Sequence, residues 1–310
     1  MAKKPKNPNK PRKTGRQPGK PRAELEAPPP AVVAAALQDT VDDLADPDSA
    51  QADVANELDA LPPQGKRTPQ QEALALAFEG WRALKPKQQL RAARSAILLD
   101  PDCADAIRLL AQNENDPQHK HVLYADAIAA AERSLGADAI AEHAGRFWQV
   151  VETRPLMRAL DDAAFDALET GDPTHAITYW TRMLELDPSD SLGVHRTLAT
   201  ALLVDGTAAS HAALRALFGR FPQDDSAAFT FSRALLFFRE QGAGAAADRA
   251  AQTAVKANPF VIDSLSGNAA QKAAPEDIDL LEKAIEYAEH ARAPWSQTRG
   301  ALEWLRSTIP

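Results

Sequence analysis

The sequence predicts an all-α protein built of stacked helix pairs behind a basic, Pro-rich tail. Three observations carry that expectation. Apolar residues make up 45% of the 310 residues; Ala and Leu dominate them while Tyr occurs only 3 times, a balance that favours helix over strand. Apolar positions recur three and four residues apart, and the alternation of a half-buried strand is hard to find. A short phrase closing on proline also recurs. Pro188, Pro222 and Pro259 lie 34 and 37 residues apart in LELDPSD, LFGRFPQD and VKANPFV, and Ile97-Leu98-Leu99-Asp100-Pro101-Asp102 repeats the phrase upstream. Each phrase ends a helix, because the residue before proline is driven out of the α region, and nearby Asp or Ser can cap the next one.

Taken in order, residues 1–30 read as a disordered basic tail. The first 22 carry nine Lys or Arg and no acid, and they lack any large apolar residue after Met1 to offset the entropy of ordering. Residues 31–65 read as an acidic, partly helical linker, with ten Asp or Glu and no base over 23–65. Within it Val32, Val33, Leu37, Val41 and Leu44, and then Val54, Leu58 and Leu61, have the spacing of two short amphipathic helices. Leu61-Pro62-Pro63-Gln64-Gly65 breaks the chain and sets the start of a folded domain at 66–310. The longest apolar runs, such as Ala31 to Leu37, fall far short of the roughly 20 residues that span a bilayer, so no membrane segment is expected. Cys103 is the only cysteine, which excludes an intrachain disulfide or a cysteine metal cluster and points to a reducing cytoplasm.

The 34-residue helix–turn–helix unit ending in Asp-Pro or Asn-Pro resembles the tetratricopeptide repeat, and residues 157–190 match it best. Ala164 stands where the family places a small residue in the first helix, and Gly171-Asp172 where it places the turn. Ala176, Trp180 and Met183 fall where the second helix has a small residue, an aromatic and another small residue. Residues 228–261 fit through Phe231, Ala234, Gly242, Ala247, Ala251, Ala254 and Pro259, with Leu235 replacing a small residue. Residues 70–103 fit more loosely through Leu76, Ala77, Ala93, Ala96 and Pro101, and residues 191–227 are degenerate around Asp205-Gly206. Pro101 and Pro188 lie 87 residues apart, which is no multiple of 34 and implies an irregular repeat with an added helix near Asp138 to Val151. Phe147-Trp148, the segment Glu152 to Ala159, and Gly300 to Leu305 resemble phrases of a group of bacterial tetratricopeptide proteins, with a more distant likeness to suppression-of-tumorigenicity-seven proteins.

The resemblance implies a right-handed superhelix with a concave groove that takes a peptide or helix of a partner. It places Phe78, Arg108, Gln112, Arg158, Asp161, Phe165, His195, Ser232 and Arg239 along that groove. The Lys and Asn clamp that chaperone-binding relatives use for a terminal carboxylate is absent, because Leu74, Ala199 and Leu236 also occupy the matching places. A mixed apolar and polar groove suits an amphipathic helix or an extended peptide with apolar anchors. A terminal cap is expected over 276–292, with Ile278, Leu281, Ile285 and Ala288 facing inward, Glu282, Glu286 and Glu289 outward, and Trp295 and Trp304 closing the end.

Signs of catalysis or cofactor binding are weak. Gly242-Ala243-Gly244-Ala245-Ala246-Ala247 has dinucleotide-binding spacing and Asp263 follows, but Phe231, Ala234, Leu235 and Phe238 ahead of it have helical spacing where the motif needs a strand. Gly15 to Lys20 is one residue short of a phosphate-binding loop. His119-Lys120-His121 beside Asp116 is read as a solvated loop, and Cys103 as a packing cysteine. The expectation is therefore a non-enzymatic scaffold or adaptor for a protein partner, without cofactor. The alternative is weak, sequence-independent contact of Lys3 to Arg22 with nucleic acid, while the repeats recruit a partner.

Overall fold

The computed structural model describes residues 57–267 and 274–308, so the predicted tail and most of the acidic linker lie outside the described residues. Those described form α1 (Pro69–Arg82), α2 (Pro86–Leu99), α3 (Ala104–Gln112), α4 (Pro117–His143), α5 (Arg154–Glu169), α6 (Pro173–Leu186), α7 (His195–Asp205), α8 (Ala208–Arg220), α9 (Ala227–Gln241), α10 (Ala245–Ala257), α11 (Val261–Leu265), α12 (Ile278–Gln297) and α13 (Ala301–Ser307). No strand occurs among them. Consecutive helices pack in pairs from α1/α2 through α11/α12, and each pair up to α9/α10 lies against the next, so the chain is an all-α stack of helix pairs.

Local chemistry sets the helix starts. Thr68 and Gln71 form a reciprocal capping box on α1, and the side chains of Asp116, Asp172, Thr207 and Ser226 accept first-turn N–H groups of α4, α6, α8 and α9. Proline occupies the first turn of α1, α2, α4, α5 and α6, where its missing N–H costs no helical hydrogen bond. The expected turns within pairs fall at Gly171, Gly206 and Gly242, whose φ values of 85°, 63° and 70° favour glycine. At the crossings Ala93, Ala96, Ala164, Ala176, Ala234, Ala247, Ala251 and Ala254 are each at most 1% exposed. Gly80 allows the tightest approach: a Cβ there would lie 2.5 Å from Leu109 Cδ2 and 2.9 Å from Ala92 Cβ.

Several expectations need correction. The added helix expected near 138–151 is present but shorter: a non-helical Gly136 (φ 75°, ψ 156°) divides the span of α4 into two helices, the second ends at His143, and two 3-10 turns, Phe147–Gln149 and Val151–Thr153, take up the rest before α5. His119, Lys120 and His121 lie within the first five residues of α4, not in a loop, because Asp116 and Pro117 start the helix ahead of them. The predicted C-terminal face is rotated. Ala288 is buried and Glu282, Glu286 and Glu289 are exposed as expected, but Leu281 and Ile285 are only half-buried, Ile278 is 48% exposed, and the buried face centres on Ala284, Tyr287, Ala288, Ala291 and Trp295. That register lets α12 lie along α7 and α9 rather than close the end of the stack. Trp304 turns away to stack on Phe238 and donate to Asp248 at 2.7 Å.

Candidate functional site

The first helices of successive pairs touch one another in two runs, α1–α3–α5 and α7–α9, and make one face of the stack. Charge closes one end of that face. Asp105 on α3, only 1% exposed, receives Arg158 Nε and Nη2 on α5 at 2.9 and 2.8 Å and Arg108 Nη1 at 2.6 Å, while Arg108 Nε reaches Asp162 at 2.8 Å. Burial works against the Asp105 carboxylate, but Arg158 and Arg108 outweigh it and hold its pKa below the ordinary value. Each guanidinium also lies over a ring, Arg108 at 4.8 Å from Trp81 and Arg158 at 5.6 Å from Phe78.

An additional helix covers the other end. Trp295 Nε1 donates to Tyr287 Oη at 2.9 Å, and Phe231 of α9 packs beside both rings at 6.0 and 6.4 Å. Arg239 staples the same place, donating to the carbonyls of Leu203 and Pro294 at 2.8 and 3.1 Å and to Thr298 Oγ1 at 2.9 Å. Burial lowers the pKa of Arg239. Asn258 Nδ2 ties the start of α12 through the Leu280 carbonyl at 2.7 Å.

Between the two ends lies a cleft of about 700 Å3 where α5, α7, the start of α9 and α12 meet. Phe165, Leu168 and Tyr287 give it apolar surface, Arg196, Lys283, Glu169, Glu286 and Glu289 give it charges of both signs, and His290 adds an imidazole ring. Phe165 is held edge-on against Trp180 at 5.1 Å and lies 6.0 Å from the His290 ring. Such a mixture anchors a side chain and orients it, the usual composition of a binding cleft.

The predicted groove residues are thus distributed unevenly. Phe165 lines the cleft, whereas Gln112 is exposed at the end of α3 and Asp161 is partly buried on α5, neither of them in the cleft lining. Asp161 accepts from Trp180 Nε1 at 2.8 Å, and burial chiefly raises its carboxyl to about 6. Phe78 and Ser232 are fully buried, and Arg108, Arg158 and Arg239 are engaged as described. His195 is buried beneath Phe221, which stacks on it at 4.1 Å, and both its ring nitrogens face carboxylates, Nδ1 that of Asp190 and Nε2 that of Asp224 at 2.8 Å. Both ring nitrogens are thus engaged within the fold. Burial opposes the Asp224 charge, but hydrogen bonds from Ser226, Arg196 and His195 bring it down to about 2.

Sequence reasoning missed Glu57, Arg154, Arg196, Lys283, Tyr287 and His290. Tyr287, Ala288, Ala291 and Trp295 do show helical spacing, and the competing Ile278–Leu281–Ile285 stripe obscured it. The dinucleotide-like glycines belong to a helix turn, Gly242 ending α9 and Gly244 preceding α10. Burial, aided by Asp105, pushes the Cys103 thiol to about 12, which makes it a packing residue. No group of three or more His, Cys, Asp or Glu is placed to hold a metal ion, and no helix is long and apolar enough to cross a membrane, among the described residues. Fold and site together define a stack of helix pairs with a C-terminal helix laid across its first-helix face. No family model matches the chain, and no curated protein matches it.

Proposed function

We propose that this chain is a cytoplasmic, non-enzymatic interaction scaffold of the tetratricopeptide kind, which holds a segment of a partner protein in the cleft between α5, α7 and α12. The cleft carries the reading. It offers about 700 Å3 of mixed surface at the one break in the run of first helices, enough for one or two anchor side chains of a peptide or helix. The 34-residue spacing and the small residues at the crossings support the family assignment. The single buried cysteine supports a reducing compartment.

The test is affinity purification with the full chain, its Phe165→Lys variant and a control, Leu84→Lys, at a residue 84% exposed and away from the cleft. A specific partner retained by the wild type and the control, and reduced about tenfold or more by Phe165→Lys, is expected, because a buried apolar anchor carries a large share of such affinities. If every captured protein ignores Phe165→Lys, the cleft is not the docking site. The nine cations between Lys3 and Arg22 favour a second reading, weak contact with nucleic acid. Deleting residues 2–22 should then abolish a salt-sensitive mobility shift while leaving the protein partner bound.

A further inference from the structure

A second place on the first-helix face already holds a ligand, supplied by the chain itself. Glu57 precedes the expected start of the folded domain, yet it is buried. Its Oε1 accepts from Arg154 Nη1 at 2.9 Å and from Arg158 Nη1 at 3.0 Å, and its Oε2 from Arg158 Nη1 at 3.2 Å. These arginines lie 97 and 101 residues further along the chain. Arg154 is positioned by its own contacts, Nε donating to the Trp148 carbonyl at 3.0 Å and the guanidinium lying 5.0 Å from the Trp148 ring. Among the described residues, the carboxylate that meets Arg154 is Glu57.

Asp105 and Asp162 face Arg108 and Arg158, and the carboxylate that faces Arg154, whose side chain is 19% exposed, is that of Glu57. The occupant is loosely attached. Neither hydrophobic cluster includes a residue of 57–65, and Asp59, Ala60 and Pro63 to Lys66 are exposed. Apart from Glu57, the side-chain anchor of this segment is Arg67 Nε on the Pro62 carbonyl at 2.7 Å. A fixed pair of arginines on the folded body therefore grips one carboxylate on a strap with little other hold, and an ion pair of this kind is strong in geometry while exchangeable in occupant.

We propose that Arg154 and Arg158 form a receptor for a glutamate-bearing helical turn of a partner protein, and that Glu57 occupies it in cis as a releasable pseudo-ligand. The partner's recognition element is a glutamate presented on a helical turn, as Glu57 is. This site is separate from the cleft at Phe165, so the two readings can fail independently. Tethering gives the cis segment an effective concentration near the millimolar range, so a competitor gains access only in excess or after Glu57 is neutralised.

The experiment uses the full chain and Glu57→Gln, with a fluorescein-labelled synthetic peptide of residues 54–65 as the probe in anisotropy titrations. The wild type should bind the peptide at least about tenfold more weakly than Glu57→Gln, because the cis segment competes. A peptide with Gln in place of Glu57 should not bind, and adding Arg154→Ala to Glu57→Gln should abolish binding. Amide exchange over 57–65 should accelerate in Glu57→Gln while α1 to α13 stay protected. Unchanged exchange over 57–65, failure of Glu57→Gln to bind the peptide, or equal binding of the Gln peptide would overturn the proposal. Loss of the helical circular dichroism of Glu57→Gln would overturn it equally, since a releasable occupant is not required for folding.

Discussion

The two ends of the first-helix face are closed by opposite chemistries. Around α3 and α5, Arg108, Arg158, Asp105 and Glu57 fill the face with matched charges, and their aromatic neighbours Trp81 and Phe78 serve as platforms for guanidinium groups. Around α7 and α9 the filling is a whole helix, and the aromatic rings of Phe231, Tyr287 and Trp295 pack on one another. The difference is one of replaceability. A carboxylate held by arginines can be exchanged for another carboxylate with little loss, whereas α12 leaves only by exposing Tyr287, Trp295 and several alanines to water. The charged end is suited to change occupants, and the aromatic end to fix the wall of the cleft between them.

The largest break in this comparison should come from Arg158→Ala. It leaves Asp105 buried with only Arg108 beside it and removes one grip on Glu57, and breaking a buried pair on one side costs about 3–5 kcal/mol. Urea denaturation followed by circular dichroism should show that loss; a change within experimental scatter would mean that water already reaches Asp105. A smaller effect is expected at the aromatic end from Tyr287→Phe. The ring and its packing remain, but Trp295 Nε1 loses its acceptor in a buried site, which costs roughly 1–3 kcal/mol. Burial pushes the Tyr287 hydroxyl up to about 12, so the bond persists across the neutral range and the loss should be the same at pH 6 and pH 9.

What was legible in the sequence follows from how local each cause is. The helix boundaries at Pro101, Pro188, Pro222 and Pro259, the turn glycines and the small crossing residues are set by neighbours within a few positions, and the structure puts them where the period places them. Phe165 was legible for the same reason, since its position in the unit puts it on the first-helix face. The pairing of Glu57 with Arg154 was not, because no local pattern ties a glutamate to an arginine 97 residues away. The path of α12 was illegible in a different way. Its Ile278–Leu281–Ile285 stripe satisfies the helical period as well as the true face does, and only the docking partners on α7 and α9 decide between them.

Asp161 gives the smallest expected effect and the one whose sign depends on pH. Its carboxyl sits on α5 beside the charged end, accepting from Trp180 Nε1 at 2.8 Å. Burial is the main cause that raises it from 3.8 to about 6; the Trp180 bond works the other way, and the neighbouring Asp162 adds to the rise. The folded protein therefore holds this proton more tightly than the unfolded chain does. The stability it contributes is complete below pH 3.8 and is lost as pH rises through about 6. Asp161→Asn keeps an acceptor for Trp180 and removes the charge, so at pH 8 the variant should melt higher than the wild type. The gain should be about 1 kcal/mol, because a partly exposed carboxylate keeps some of its hydration. The gap should close as pH falls through 6 and vanish near 4, measured as the difference between paired melting curves so that other titrating groups cancel. A gap that stays constant with pH would place the effect in packing, and a variant that melts lower at pH 8 would mean that the ionised carboxylate stabilises this end through Arg108, making it part of the charged closure.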